Sequence, residues 1–168
     1  MSELWHVSED PAIEVFHPHR DELHALDEPL VWAVDSVYWW LYWFPRDCPR
    51  ACFNADEHTT PEDVEHWLDG DRERRVAVIE TGWLDRFRSA RVFAYRFPPE
   101  SFEPWDKFFV SRETVIPTKV VELGDLLARH AGAGNELRIS PTLYPLWDRV
   151  IESTLDFSGI RLRNAVRR

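Results

Sequence analysis

At 168 residues the chain is long enough for one domain with its own hydrophobic core. Its formal net charge of -10 argues against duplex nucleic acid as a partner, and two cysteines are too few for a disulfide scaffold. No apolar run approaches the ~20 residues that span a bilayer, and "MSELWHVSEDP" lacks the basic-then-apolar order of a secretory signal.

The expectation is therefore a cytoplasmic protein with no membrane partner, one domain over 1–168, and thiols at Cys48 and Cys52. In chain order, "ELWHV" reads as a first strand stopped by "SEDP". "AIEVFHPH" alternates apolar with polar and predicts a short strand or extended segment, then "DELHALDEP" a polar connection. "LVWAV" predicts a buried strand. Asp35 and Ser36 are placed to cap a helix that carries the next residues and stops at Phe44-Pro45.

"RACFNA" predicts another strand. Thr60 as cap, Pro61 at the first helical position and Asp63 three residues after the cap predict a helix over "TTPEDVEHWL". "RRVAVIE" and "ARVFAYRFP" predict strands separated by "TGWLDRFRS", and "KFFVS" and "TKVVEL" two more around "RETVIP". Gly124-Asp125 opens a short helix, "DLLARHAG". Ser140-Pro141 opens a last one, with Leu143, Trp147, Val150, Ile151 and Leu155 at helical spacing on one apolar stripe. Strands in the middle with helices to either side give an α+β class without regular βαβ alternation. The sheet is expected to be split, mixed or antiparallel, with flanking helices.

Six of the eight residues from Val37 to Phe44 are aromatic. A helix apolar all round is buried or lines something apolar. Three readings follow: core packing, a cleft wall on which a base or nicotinamide stacks, or a homodimer contact made by a Trp-rich surface. In "FPRDCPR", Arg46 and Arg50 could clamp a phosphate beside that wall, or an Arg–Asp pair could pin the turn. The C-terminal "SGIRLRNAVRR" holds four Arg and no acid, which suits a helix C-terminus, a solvated tail, or a phosphate or RNA contact.

No metal site is expected. Cys48, Cys52, His58 and His66 match no zinc spacing, and Pro18 between His17 and His19 favours an extended chain that turns those rings to opposite faces, whether His6 or His24 is the third ligand. Neither a G-x-S-x-G elbow nor a Gly-rich phosphate loop occurs.

"LWHVS", the strand "LVWAV" leading into a tyrosine-bearing segment, and "WDKFFVSRETVIP" together resemble the ADP-ribosyltransferase-like fold, in its branch with a His, Tyr and Glu triad. The resemblance implies NAD bound across a split sheet, with His6 on a ribose, Ser8 following it in the motif, and Tyr42 stacked on nicotinamide, Tyr38 being the alternative. It implies a carboxylate from Glu113 or Asp106 as catalytic acid. Val7 stands where that branch has glycine, and Lys107 stands at the position of the glutamate. A further resemblance, carried by "HVSEDPAIEVFHPH", "FPRDCPR" and "STLDFSGIRLRNA", is to a family of small bacterial proteins without an assigned activity. The readings in view are a transferase or NAD glycohydrolase, a non-catalytic module for a small nucleotide-like ligand, and an interaction or dimerisation protein.

Overall fold

A computed structural model describes residues 3–20 and 28–167. The "DELHALDEP" connection falls mostly outside them, His24 included. Among the described residues the fold is mixed α+β, with two sheets and four α-helices. The chain divides into two compact units, Met1–Trp43 with Arg91–Gly124, and Phe44–Ala90 with Asp125–Arg168.

The first unit is a six-stranded antiparallel sheet. Its strands are β1 (Leu4–Ser8), β2 (Val31–Asp35), β5 (Phe93–Phe97), β6 (Glu103–Trp105), β7 (Phe108–Ser111) and β8 (Lys119–Glu122), in the order β6-β7-β2-β1-β5-β8. Alternation along the strands places Leu4, Val31, Ala33, Phe93, Tyr95 and Phe97 in one buried cluster with Phe16 and Val115. "AIEVFHPH" forms no strand. It runs extended, held by isolated bridges Phe16–Val115 and His19–Leu30. The Tyr95 hydroxyl donates to Asp10 O and accepts from Ile13 N, which fixes the start of that segment.

The predicted aromatic helix shrinks to one 3-10 turn, Trp39–Tyr42. The capping part of the expectation holds, because Asp35 Oδ1 accepts from Val37 N at 2.9 Å and Tyr38 N at 3.3 Å. What fails is propagation. Aromatic side chains lose rotamer freedom against the preceding turn, and Pro45 forbids an α conformation at Phe44.

The second unit is a four-stranded sheet of β3 (Arg50–Asn54), β4 (Arg75–Glu80), β9 (Asn135–Ser140) and β10 (Asp156–Ile160), in the order β10-β3-β4-β9 with β4 and β9 parallel. Its helices are α1 (Pro61–Leu68), α2 (Leu84–Ser89), α3 (Leu126–Gly132) and α4 (Tyr144–Val150). α1 starts as predicted, with the Thr60 side chain accepting from Asp63 N. α3 does too, with Asp125 accepting from Ala128 N at 3.0 Å.

β6, β9, β10 and α2 extend the predicted set. The last helix is shorter than its stripe: Leu155 lies beyond its end and Ile151 is exposed. Ala51, Phe53, Val76 and Val78 of the sheet pack with Leu68, Leu143, Val150 and Leu155 in this unit's core. The buried Glu80 carboxylate accepts from Leu143 N and Val166 N, tying the start of α4 and the C-terminal segment to β4.

Gly159 on β10 lies under the Trp147 indole, where an added Cβ would fall 2.6 Å from Trp147 Cη2 and Leu162 Cδ1. Gly159→Ala should therefore destabilise the protein by about 1–3 kcal/mol, the usual cost of overpacking against a rigid ring. A lowered urea midpoint at unchanged slope checks this, and an unchanged midpoint refutes it.

Candidate functional site

β1 and β2 pair at Leu4–Asp35 and Trp5–Val34, and there the ladder ends. β1 continues along β5 as far as Ser8–Phe93, and β2 along β7 through Val31–Ser111. The continued register would have matched His6 with Ala33 and Val7 with Trp32. Instead the strands part, and the Trp32 carbonyl lies 3.1 Å from His6 Nδ1, the ring nitrogen that donates across the gap.

Successive residues of an antiparallel strand turn their N–H and C=O to opposite neighbours. Of His6 and Val7, then, one keeps its bonds to β5 and the other faces the gap.

A hollow of about 100 Å³ opens at this split, lined by Trp5, His6, Val7, Trp32, Ala33, Val34, Tyr42 and Phe108. Strand alternation assigns the sides. Trp5, Val7, Trp32 and Val34 share the face that carries Tyr42, whereas His6 packs on the other face against Phe16 at 4.9 Å and Phe97 at 6.1 Å. Trp5 meets Trp39 at 5.0 Å, and Trp39 meets Trp43 at 5.1 Å, so the aromatic turn is seated on β1 by ring contacts. Trp32 is flanked edge-on by Trp105 and Phe108. The buried Trp5 indole N–H has no hydrogen-bond acceptor among the described residues.

His6 and Tyr42 thus come together, at one cleft. The other candidates lie elsewhere. Ser8 Oγ accepts from Asp10 N at 3.1 Å and closes the turn after β1. Tyr38 precedes the 3-10 turn, and Lys107 Nζ sits 5.7 Å from its ring centroid. Asp106 is exposed at the β6–β7 tip with φ of 52°, a left-handed conformation that Asp tolerates. Glu113 is exposed beyond the end of β7, its N–H donating to Ser111 Oγ. Neither acid lines the hollow; the β7 residue that does is Phe108. Arg46 belongs to the second unit, where its carbonyl accepts from Arg161 Nε.

An Arg46–Arg50 phosphate clamp does not form. Arg50 is 3% exposed, donates to Cys48 O at 2.9 Å and lies over the Phe44 ring. The C-terminal segment holds the turn, through Arg161 to Arg46 O and Asn164 to Asp47 O. That segment is β10 followed by a 3-10 turn, and not a helix end or solvated tail. A larger hollow of about 500 Å³ in the second unit is polar, but its arginines are engaged with backbone, Arg72 with Thr59 O and Asp56 O, Arg75 with Ala133 O. Among the described residues no three His, Cys, Asp or Glu side chains are grouped to hold a metal ion.

The cleft residues missed from sequence are Trp5, Val7, Trp32, Val34 and Phe108. Their signal was present as period-two alternation, which puts Trp5 with Val7 and Trp32 with Val34 on one face. The parting of the strands was not readable, because it depends on pairings with β5 and β7.

The model of a family of unknown function (DUF6886) matches residues 5–165. No curated protein and no solved structure matches the chain. The chain belongs to that family, and among its described residues no helix is long and apolar enough to cross a membrane.

The two thiols are unsuited to nucleophilic work. Burial pushes Cys48 and Cys52 up to about 12, against the partial opposition of Arg50. Thiol reagents at pH 8 should label neither in the folded protein and both in denaturant. The sign for stability follows: an unfolded thiol loses its proton from about 9, the folded one only near 12. Stability should fall between those values by about 1.4 kcal/mol per pH unit for each thiol, an alkaline loss that denaturation of Cys52→Ala should show reduced.

Proposed function

For this DUF6886 protein we propose that the cleft between β1 and β2 binds the flat ring of a small nucleotide-like ligand, NAD being the candidate, and that it does so without catalysis. The observation that carries the reading is the early end of the β1–β2 ladder, with aromatic walls on the opening. Ring faces of Trp5, Trp32, Tyr42 and Phe108 offer stacking and edge contacts to a planar group. Strand edges that no longer pair beyond Trp5–Val34 favour a ring whose edge carries an amide-like donor and acceptor.

Size supports a ring and little more. An apolar cavity of about 150 Å³ holds a benzene, and sites for drug-sized ligands run to about 300–1,000 Å³. At about 100 Å³ the hollow takes one ring inserted from the open side, with the rest of the ligand outside.

The case against catalysis is chemical. Glycosidic cleavage of NAD in the family resembled needs a carboxylate at the nicotinamide ribose. Phe108 occupies the cleft wall on β7, and Lys107 precedes it. A carboxylate even ~1 Å out of place loses much of its effect, and Glu113 and Asp106 are both exposed outside the lining.

Intrinsic Trp fluorescence titrated with NAD, nicotinamide and ADP-ribose tests the reading. NAD and nicotinamide should quench, and Tyr42→Ala should weaken both by roughly fivefold, about 1 kcal/mol of ring contact. Labelled NAD should release nicotinamide no faster than without protein. Failure of all three to quench would remove the nucleotide reading, and turnover of NAD would make the protein an enzyme.

A further inference from the structure

We propose that the segment from Arg161 to Arg167 is a phosphate-binding surface, and that its ligands are small molecules with a terminal phosphate or diphosphate. The inference concerns the second unit alone and does not rest on the ring-binding reading.

The backbone of this segment is fixed from several sides. Ile160 pairs with Arg50 at the end of β10, and the chain then leaves the sheet. Arg161 Nε donates to Arg46 O at 3.3 Å, and Asn164 Nδ2 donates to Asp47 O at 2.8 Å. Asn164 N returns to Arg161 O at 2.9 Å and closes the 3-10 turn. Val166 N donates to the buried Glu80 carboxylate at 3.0 Å, and Val166 O accepts from Thr142 Oγ1 at 3.3 Å. Arg161 and Arg163 are two residues apart on this support, so their Cα atoms lie within about 7 Å.

The charge pattern there is unlike that of the rest of the chain. With 30 Asp and Glu against 20 Lys and Arg, an arginine readily finds an acid. Arg74, Arg91, Arg96, Arg112 and Arg138 each hold a carboxylate. Arg161, Arg163 and Arg167 hold none among the described residues, and the last two are exposed. No acid follows Asp156 in the sequence, and Asp47 is the acid on the facing turn, where it limits the affinity. Guanidinium groups suit phosphate, because their paired N–H donors match two of its oxygens.

The backbone of Arg161 gives a second, independent sign. It is left-handed, with φ of 56° and ψ of 26°. The other non-glycine residues with positive φ, among those described, are Asp69 and Asp106, and aspartate tolerates that region. Backbone preference alone would place asparagine or glycine at 161. The bond from Nε to Arg46 O uses one of the five guanidinium donors, and the η nitrogens hold no hydrogen bond among the described residues.

Size of the ligand follows from the net charge of -10, which repels a long polyanion. Screening confines each charge to about 8 Å at physiological ionic strength, so a phosphate or diphosphate beside these arginines meets mainly their field. A nucleic-acid strand or an anionic membrane extends well beyond it.

The test is calorimetric titration of the whole protein with inorganic pyrophosphate at low ionic strength, beside inorganic phosphate and a short single-stranded RNA. Pyrophosphate should bind more tightly than phosphate and should shift the Arg161 Nε–H resonance in a proton–nitrogen NMR spectrum. Arg163→Gln and Arg161→Asn should each weaken pyrophosphate roughly fivefold, and the pair together tenfold or more. Arg161→Lys should weaken it too, since the charge stays but the fork is lost. Arg161→Asn should keep the melting temperature, because asparagine accepts the left-handed backbone. Arg91→Gln changes the net charge equally at an arginine already held by Glu122, and should leave affinity within about twofold.

No binding of pyrophosphate, or equal weakening by Arg91→Gln, overturns the proposal. Tighter binding of the RNA than of pyrophosphate overturns the small-ligand assignment. A lowered melting temperature with unchanged affinity in Arg161→Asn makes that arginine a structural pin and removes it from the surface. Pyrophosphate has no ring, so its binding neither requires the cleft nor reports on it.

Discussion

β1 and β2 are joined by two residue pairs, while each is laddered more fully to its other neighbour, β1 to β5 over five pairs and β2 to β7 over three. A strand cannot satisfy two diverging neighbours along its whole length when both sides are committed, and here the shared edge is the one that opens. The opening leaves backbone groups to be satisfied, and each unpaired one costs about 1–3 kcal/mol if sealed from water. His6 limits that cost by giving the Trp32 carbonyl a partner from the far face of the sheet. The imidazole is in this sense a strut across the split. It holds the two strand edges at a fixed separation and lets the space between them persist as a cleft.

The rings on the other face supply the walls. Trp5 against Trp39, Trp39 against Trp43, and Trp32 between Trp105 and Phe108 make two aromatic banks, one on the 3-10 turn and one on the β6–β7 hairpin. Edge-to-face contacts at these spacings fix ring orientation more than simple burial does. None of the nine Trp is fully exposed, and Trp32, Trp39, Trp83, Trp105 and Trp147 are half-buried. The run from Tyr38 to Phe44 is thereby divided in use. Residues through Trp43 serve the first unit, and Phe44 serves the second, where it packs on Phe87 and His130.

What could be read in advance followed the range of each interaction. Thr60 and Asp125 were readable as caps because a cap is a bond between a side chain and an amide three residues away. Val31–Asp35 and Arg75–Glu80 were readable because buried strands are apolar in themselves. β10 was not, since "DFSGI" carries an acid and a glycine, and its strand character comes from Asn54 to Arg50 on β3. The glycine that weakens the strand pattern is the one the Trp147 indole requires. The aromatic run failed for a related reason: its apolar character promised burial, but its ring sizes set the amount of helix. Of the candidate residues, His6 and Tyr42 line the hollow, and Glu113 and Asp106 do not.

The wall that β7 gives the hollow is the aromatic ring of Phe108. A catalytic carboxylate and a stacking ring make opposite demands on one position, the first needing polar company and the second excluding it. With Phe108 against Trp32 and Lys107 next along the chain, the hairpin presents a ring inward and a cation outward. Phe108 opens β7, and Lys107 belongs to the two-residue turn before it. An uncharged aromatic lining suits a flat, neutral group better than an ion, within a protein whose net charge of -10 already disfavours anions.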